Sequence, residues 1–154
     1  MLEKFCEYAS LFLRLALGIG FLSAVGDRFG FWGESAGPGV AWGNFENFTA
    51  YTGKLNWFAP KALIPALAWL ATVFEIVLGT MLILGFQTRL AAFVSGLMLL
   101  TFALAMTGAL GIKAPLDYSV FTASAAAFLL SATGTGALSM EALFINRGLD
   151  DVRH

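Results

Sequence analysis

Two ionisable side chains stand where the sequence offers them no water. Arg14 interrupts an apolar run over 8–26, and Glu75 is the one charge in an apolar run over 62–86. Each costs roughly 2.5–3.5 kcal/mol at the centre of a membrane span, so each needs a partner or a task. A carboxylate in that setting can relay a proton, and a guanidinium beside it can stabilise developing negative charge. Glu75 and Arg14 are therefore the candidate catalytic residues. On helices, Arg14, Gly18, Phe21, Val25 and Arg28 share one face, and Ala68, Ala71, Thr72, Glu75 and Gly79 share another. The second stripe is small residues around one carboxylate, the pattern of close helix approach, and it turns Glu75 toward the bundle interior. At 1.5 Å per residue, Arg14 and Glu75 lie about 9 and 14 Å from the same membrane face, an offset that side chains of this length close. The spacing predicts that they meet, either as a plain clasp between helices or as part of a site.

A second group is expected at the opposite, outward ends of the helices: Asp27, Arg28, Asn56, Trp57, Asp117 and Tyr118, with Lys54 and Lys113 beside them. They are the candidate ligand-binding residues. For any one of them the ordinary reading is a solvated rim, because charges at helix ends reach water at little cost. Convergence with Glu75 would overturn that reading.

The elements that must position these residues follow from composition. With 58% apolar and 12% charged residues and a mean hydropathy of +0.78, the chain lies far outside the range of soluble domains. The expected fold is all-α, an integral membrane four-helix bundle forming one transmembrane domain over 1–154, with helices near 8–27, 62–85, 90–111 and 117–134. A secretory signal peptide is the competing reading of the first run, but Arg14 sits inside what would be its apolar core. One long connection, 30–61, joins the first two helices and carries eight aromatic rings, including Trp32, Trp42, Phe48, Tyr51 and Trp57. It reads as an interfacial aromatic belt or, more sharply, as a lid over a pocket between the helices. Positive charge is evenly divided: Lys4, Arg89, Arg147 and Arg153 on one side, Arg28, Lys54, Lys61 and Lys113 on the other. Arg14 tips the orientation toward both termini inside, in a multi-pass protein of the cell (inner) membrane.

Several chemistries are excluded or disfavoured. A net charge of −1 offers no basic surface for nucleic acid. Cys6 is alone, so no internal dithiol exists, and the single histidine, His154, does not supply a bundle with haem ligands; neither haem nor metal is expected. Gly18-Ile19-Gly20 lies inside an apolar helix with no strand before it, and Asn47-Phe48-Thr49 is a three-residue match with a high chance rate.

Leu13-Arg14-Leu15-Ala16-Leu17-Gly18, Glu75-Ile76-Val77-Leu78-Gly79, the run Leu84-Gly85-Phe86-Gln87-Thr88-Arg89-Leu90-Ala91-Ala92 and Pro115-Leu116-Asp117-Tyr118 resemble the DoxX/DoxD-like family of small four-helix membrane proteins. The resemblance implies a membrane subunit of a quinone-linked oxidoreductase system. On that expectation an apolar redox ligand, a quinone, lies near the intramembrane Arg/Glu pair, and a protein partner supplies electrons. The alternative is a non-catalytic scaffold or assembly factor for a redox complex. Membrane lipid is a partner in either case, and a homo-oligomer is compatible with the sequence.

Overall fold

The computed structural model describes residues 1–134, which form helices and turns with no strand among them; His154, Arg147 and Arg153 lie outside the described residues. The helices are α1 (Leu2–Arg28), α2 (Phe45–Leu55), α3 (Ile64–Leu84), α4 (Thr88–Leu110), α5 (Lys113–Asp117) and α6 (Val120–Thr133), with a short 3-10 turn, Lys61–Leu63, leading into α3. α1, α3 with its leading turn, and α4 are long and apolar enough to cross a membrane; α6 is apolar but shorter. The protein is an all-α integral membrane bundle of four apolar helices with an aromatic connection between the first two.

Local chemistry explains the boundaries. α1 starts at Leu2, six residues before the expected position, because Glu3, Lys4 and Glu7 are good helix formers that extend it while remaining exposed. Pro65 sits in the first turn of α3, where its missing N–H is no loss. At the other end of α3, Gly85 takes a left-handed conformation (φ 68°), and the Phe86 and Gly85 amides donate to the carbonyls of Met81 and Leu82. This Schellman closure turns the chain within three residues into α4. The helix expected from 117 begins at Val120, because Ser119 adopts φ 55° just before it, and a separate short helix, α5, fills Lys113–Asp117 ahead of that break.

The connection contains a helix that the sequence reading did not assign. Asn44 caps α2, its side-chain oxygen accepting from the Asn47 amide at 2.8 Å. Phe45, Phe48, Thr52 and Leu55 then follow at spacings of three and four, and this stripe lies against α3 and α4.

Packing is organised as two helix pairs, α1 on α3 and α4 on α6. The first depends on two glycines: a Cβ on Gly18 would stand 2.8 Å from the Gly79 carbonyl oxygen, and one on Gly79 would stand 3.0 Å from that of Gly18. In the second, Gly96 faces the Phe128 ring, and the Ser124 hydroxyl donates to the Gly96 carbonyl at 2.8 Å. Phe21, Leu78, Leu82, Ala91, Ala92 and Leu130 form the core that joins the pairs, while Val73, Val77, Leu104 and Leu129 point outward as lipid-facing surface.

Because a Cβ on Gly18 would meet the Gly79 carbonyl oxygen at 2.8 Å and Ile83 Cγ1 at 2.7 Å, Gly18→Ala is expected to destabilise the protein by about 1–3 kcal/mol, the usual penalty of overpacking. Gly20→Ala, whose Cβ meets nothing within 4 Å among the described residues, serves as the control. Thermal unfolding in detergent micelles checks this; equal melting temperatures for the two variants would refute the close crossing.

Candidate functional site

The contact between Gly18 and Gly79 fixes the register of the antiparallel α1–α3 pair and so decides which arginine reaches Glu75. Counting from that crossing, Glu75 is level with Leu22. Arg28 lies about 9 Å from that level and Arg14 about 12 Å on the other side. Direction then settles the choice. Side chains on a helix lean toward its N-terminus, so Arg28 leans toward Glu75 and Glu75 toward Arg28, whereas Arg14 leans away. The structure accordingly pairs Glu75 with Arg28, not with Arg14. Arg14 is 1% exposed and sits about 21 Å along α1 from Arg28.

The Arg28 guanidinium is held on several sides. Nη1 donates to the Thr72 hydroxyl at 2.8 Å, and that hydroxyl donates its own hydrogen bond to the Ala68 carbonyl at 2.8 Å. Nη2 donates to Glu75 Oε1 at 2.8 Å and lies 2.7 Å from Oε2. The ring of Phe48 covers the guanidinium carbon at 3.6 Å from its centroid, and Trp42 stands at 5.3 Å. One nitrogen faces both carboxylate oxygens but is aligned with only the first. Glu75 Oε2 and Arg28 Nε are therefore buried without an aligned hydrogen-bond partner among the described residues.

Asp27, next to Arg28, does a different job. Its carboxylate accepts backbone amides of the connection: Ala41 at 2.8 Å, Trp42 at 3.3 Å and Gly43 at 3.1 Å. This latch places Trp42 over Arg28, and Trp42 in turn packs edge-on against Phe48 with centroids 5.1 Å apart. Phe29, Phe45 and Trp69 continue the aromatic cluster onto α3. The connection is thus an ordered roof.

Beneath it lies a cavity of about 440 Å³ between α2, α3 and α4, within the range of small-molecule sites. Arg28 and Glu75 form its polar end, Thr52, Tyr51 and Asn56 line the roof, and Leu70, Phe74, Val94, Leu97 and Met98 are among the apolar walls. Burial pushes the Tyr51 phenol above its ordinary value of 10.0, and Tyr118 pushes it the same way.

Of the residues expected at a site, the structure brings Glu75, Arg28 and Asn56 to this cavity. Asp27 supports it from behind. Trp57 is exposed and packs against Phe58, and Asp117 makes an exposed ion pair with Lys113. Tyr118 is exposed but acts on Tyr51. Arg14 does not line the cavity. Sequence reasoning missed Thr72, Phe48, Tyr51 and the wall of α4. The apolar stripe of α2 was the available signal for Phe48, whereas the uncharged run of α4 carried none.

Residues 6–117 match the family described as methylamine utilisation protein MauE. The chain belongs to the MauE family. The match runs from α1 through α5 and includes every residue placed at the cavity. What it carries is a small multi-pass membrane protein of the MauE family, and the narrower likeness to DoxX/DoxD proteins is not part of it. No curated protein and no solved structure matches the chain.

Two expectations follow from this geometry. Removing one member of the buried pair, by Arg28→Met or Glu75→Leu, is expected to cost about 3–5 kcal/mol, and the double variant is expected to recover much of it, since an uncompensated buried charge is worse than none. Additive losses in detergent melting curves would show that the two are not coupled. Asp27→Asn weakens charge-assisted bonds worth about 1.5–3 kcal/mol each. It is expected to speed amide exchange at Ala41–Gly43 relative to α4, as read by hydrogen-exchange mass spectrometry; unchanged exchange would remove the latch.

Proposed function

We propose that this chain is the membrane-embedded subunit of a redox system and that its cavity holds the ring of a quinone-type ligand with the polar edge against Arg28 and Glu75. The observation that carries this reading is the buried Arg28–Glu75 pair at the polar end of an otherwise largely apolar cavity, with hydrogen-bonding capacity left over on both partners. Among the described residues Glu75 Oε2, although 2.7 Å from Arg28 Nη2, has no aligned donor and Arg28 Nε has no acceptor, which suits one ring oxygen that can accept from the guanidinium as a carbonyl and donate to the carboxylate as a hydroxyl. The apolar walls suit the rest of a ring. Such a ligand supplies two-electron, two-proton chemistry; among the described residues, the cavity lining offers hydrogen-bonding and acid–base groups, so electrons come from a protein partner.

The chain's own residues bind and orient the ring and manage a proton. Arg28 stabilises negative charge at the ring oxygen it faces. Glu75 Oε2 exchanges a proton with that same oxygen. The roof of α2 and Trp42 keeps bulk water from the pair. The family's name links the chain to methylamine utilisation, and we place the protein partner within that system, at the outward face of the cell membrane where the aromatic connection lies.

The second reading, a scaffold or assembly factor, is favoured by the same clasp and latch if they serve only to fix α2 as a docking platform. Mass spectrometry of lipophilic compounds retained after gentle detergent extraction separates the two. Wild-type protein is expected to carry near-stoichiometric quinone, and Glu75→Gln to lose most of it while staying folded. Wild-type protein that carries none, and whose melting temperature does not rise when a benzoquinone is added, would leave the scaffold.

A further inference from the structure

α3 and α4 are consecutive helices joined by a three-residue turn, and near that turn Leu78 and Leu82 pack with Ala91 and Ala92 in the core. Farther from the turn they part. From Glu75 to Leu67 on one side and from Val94 to Ala105 on the other, both line the cavity, and α2 packs against both helices at the far end. The cavity is thus bounded by the turn below and α2 above. Its flank is different: Leu70, Phe74 and Leu97 line the cavity yet are 55%, 43% and 45% exposed. These residues lie on helices that cross the bilayer, so what they are exposed to is hydrocarbon.

We propose that the cavity opens sideways into the bilayer between α3 and α4, and that this opening is the subsite for the apolar chain of a membrane-dissolved ligand whose head lies at Arg28 and Glu75. The identity of that head rests on the quinone-type reading above. The opening itself rests only on the wall residues. Three observations select a chain-bearing ligand over a water-soluble one. The roof closes the aqueous end, since Phe48 is 6% exposed and sits on the guanidinium. The flank residues are purely apolar apart from Thr101, whose hydroxyl is turned back to the Leu97 carbonyl at 2.9 Å. The one strongly polar end lies deep, where a head group would stop and leave its chain pointing out along the flank.

The full chain in phosphatidylcholine vesicles, with Cys6→Ser and a nitroxide on Thr101→Cys, tests this by collision measurements. Dissolved oxygen is expected to relax the label several-fold more than a water-soluble nickel chelate does. A long-chain prenyl benzoquinone is expected to reduce the oxygen effect, while the same ring without its chain is not. Leu97→Cys, one turn away on the same wall, gives an independent label position should the first disturb folding. A nickel effect exceeding that of oxygen at both positions overturns the sideways opening. Equal shielding by the chainless ring overturns the chain subsite. If oxygen dominates but neither quinone changes it and lipids with longer acyl chains do, the opening and chain subsite stand and the quinone reading falls.

Discussion

A guanidinium at the end of α1 must be solvated in a place from which water is excluded, and the upper half of the molecule is arranged around that demand. Arg28 is 2% exposed. It meets a carboxylate and a hydroxyl on α3 and two aromatic faces from the connection, so three separate segments are tied to one planar cation. The delocalised, weakly hydrated charge of arginine suits this setting better than the compact ammonium of lysine, because it offers both in-plane donors and a face for ring contact. The core at the other end of the α3–α4 pair, by contrast, uses size: glycines and alanines let backbones approach, and leucines fill what remains.

Asp27 and Arg28 show how adjacent residues on a helix divide labour. They point about 100° apart around α1, so the carboxylate turns to the connection and the guanidinium to α3. The negative charge is satisfied by backbone amides and the positive one by side chains. Their separation prevents the two from neutralising each other across the peptide bond, which would leave both the roof and Glu75 without an anchor.

Much of this was legible in the sequence. Arg14 and Glu75 stood out by cost alone, and the stripe through Gly18, Phe21, Val25 and Arg28 is the buried face of α1. The small stripe around Glu75 is likewise the face of α3 that meets it. Height above the membrane face alone pairs Glu75 with Arg14; the lean of the side chains favours Arg28, and the Gly18–Gly79 crossing sets the level. α2 was hidden because its aromatic richness fits an interfacial belt as well as a roof, and only the cap at Asn44 marks its start. The cavity wall on α4 was illegible in principle: Val94, Leu97, Met98 and Phe102 lie in a run without charges, where lipid-facing and ligand-facing residues have the same chemistry.

The Schellman turn at Gly85 has a mechanical consequence. It joins α3 to α4 beside their packed core, so the pair has the geometry of tweezers with the pivot at Gly85 and the tips some fifteen residues away. Over a lever of about 22 Å, a rotation of roughly 5° at the pivot moves the tips by about 2 Å. The gauge of the tweezers is set by what stands between the tips, and that is α2, whose side chains act as a shim. The size of the space between the arms is therefore set by how the eleven residues of α2 are seated between them.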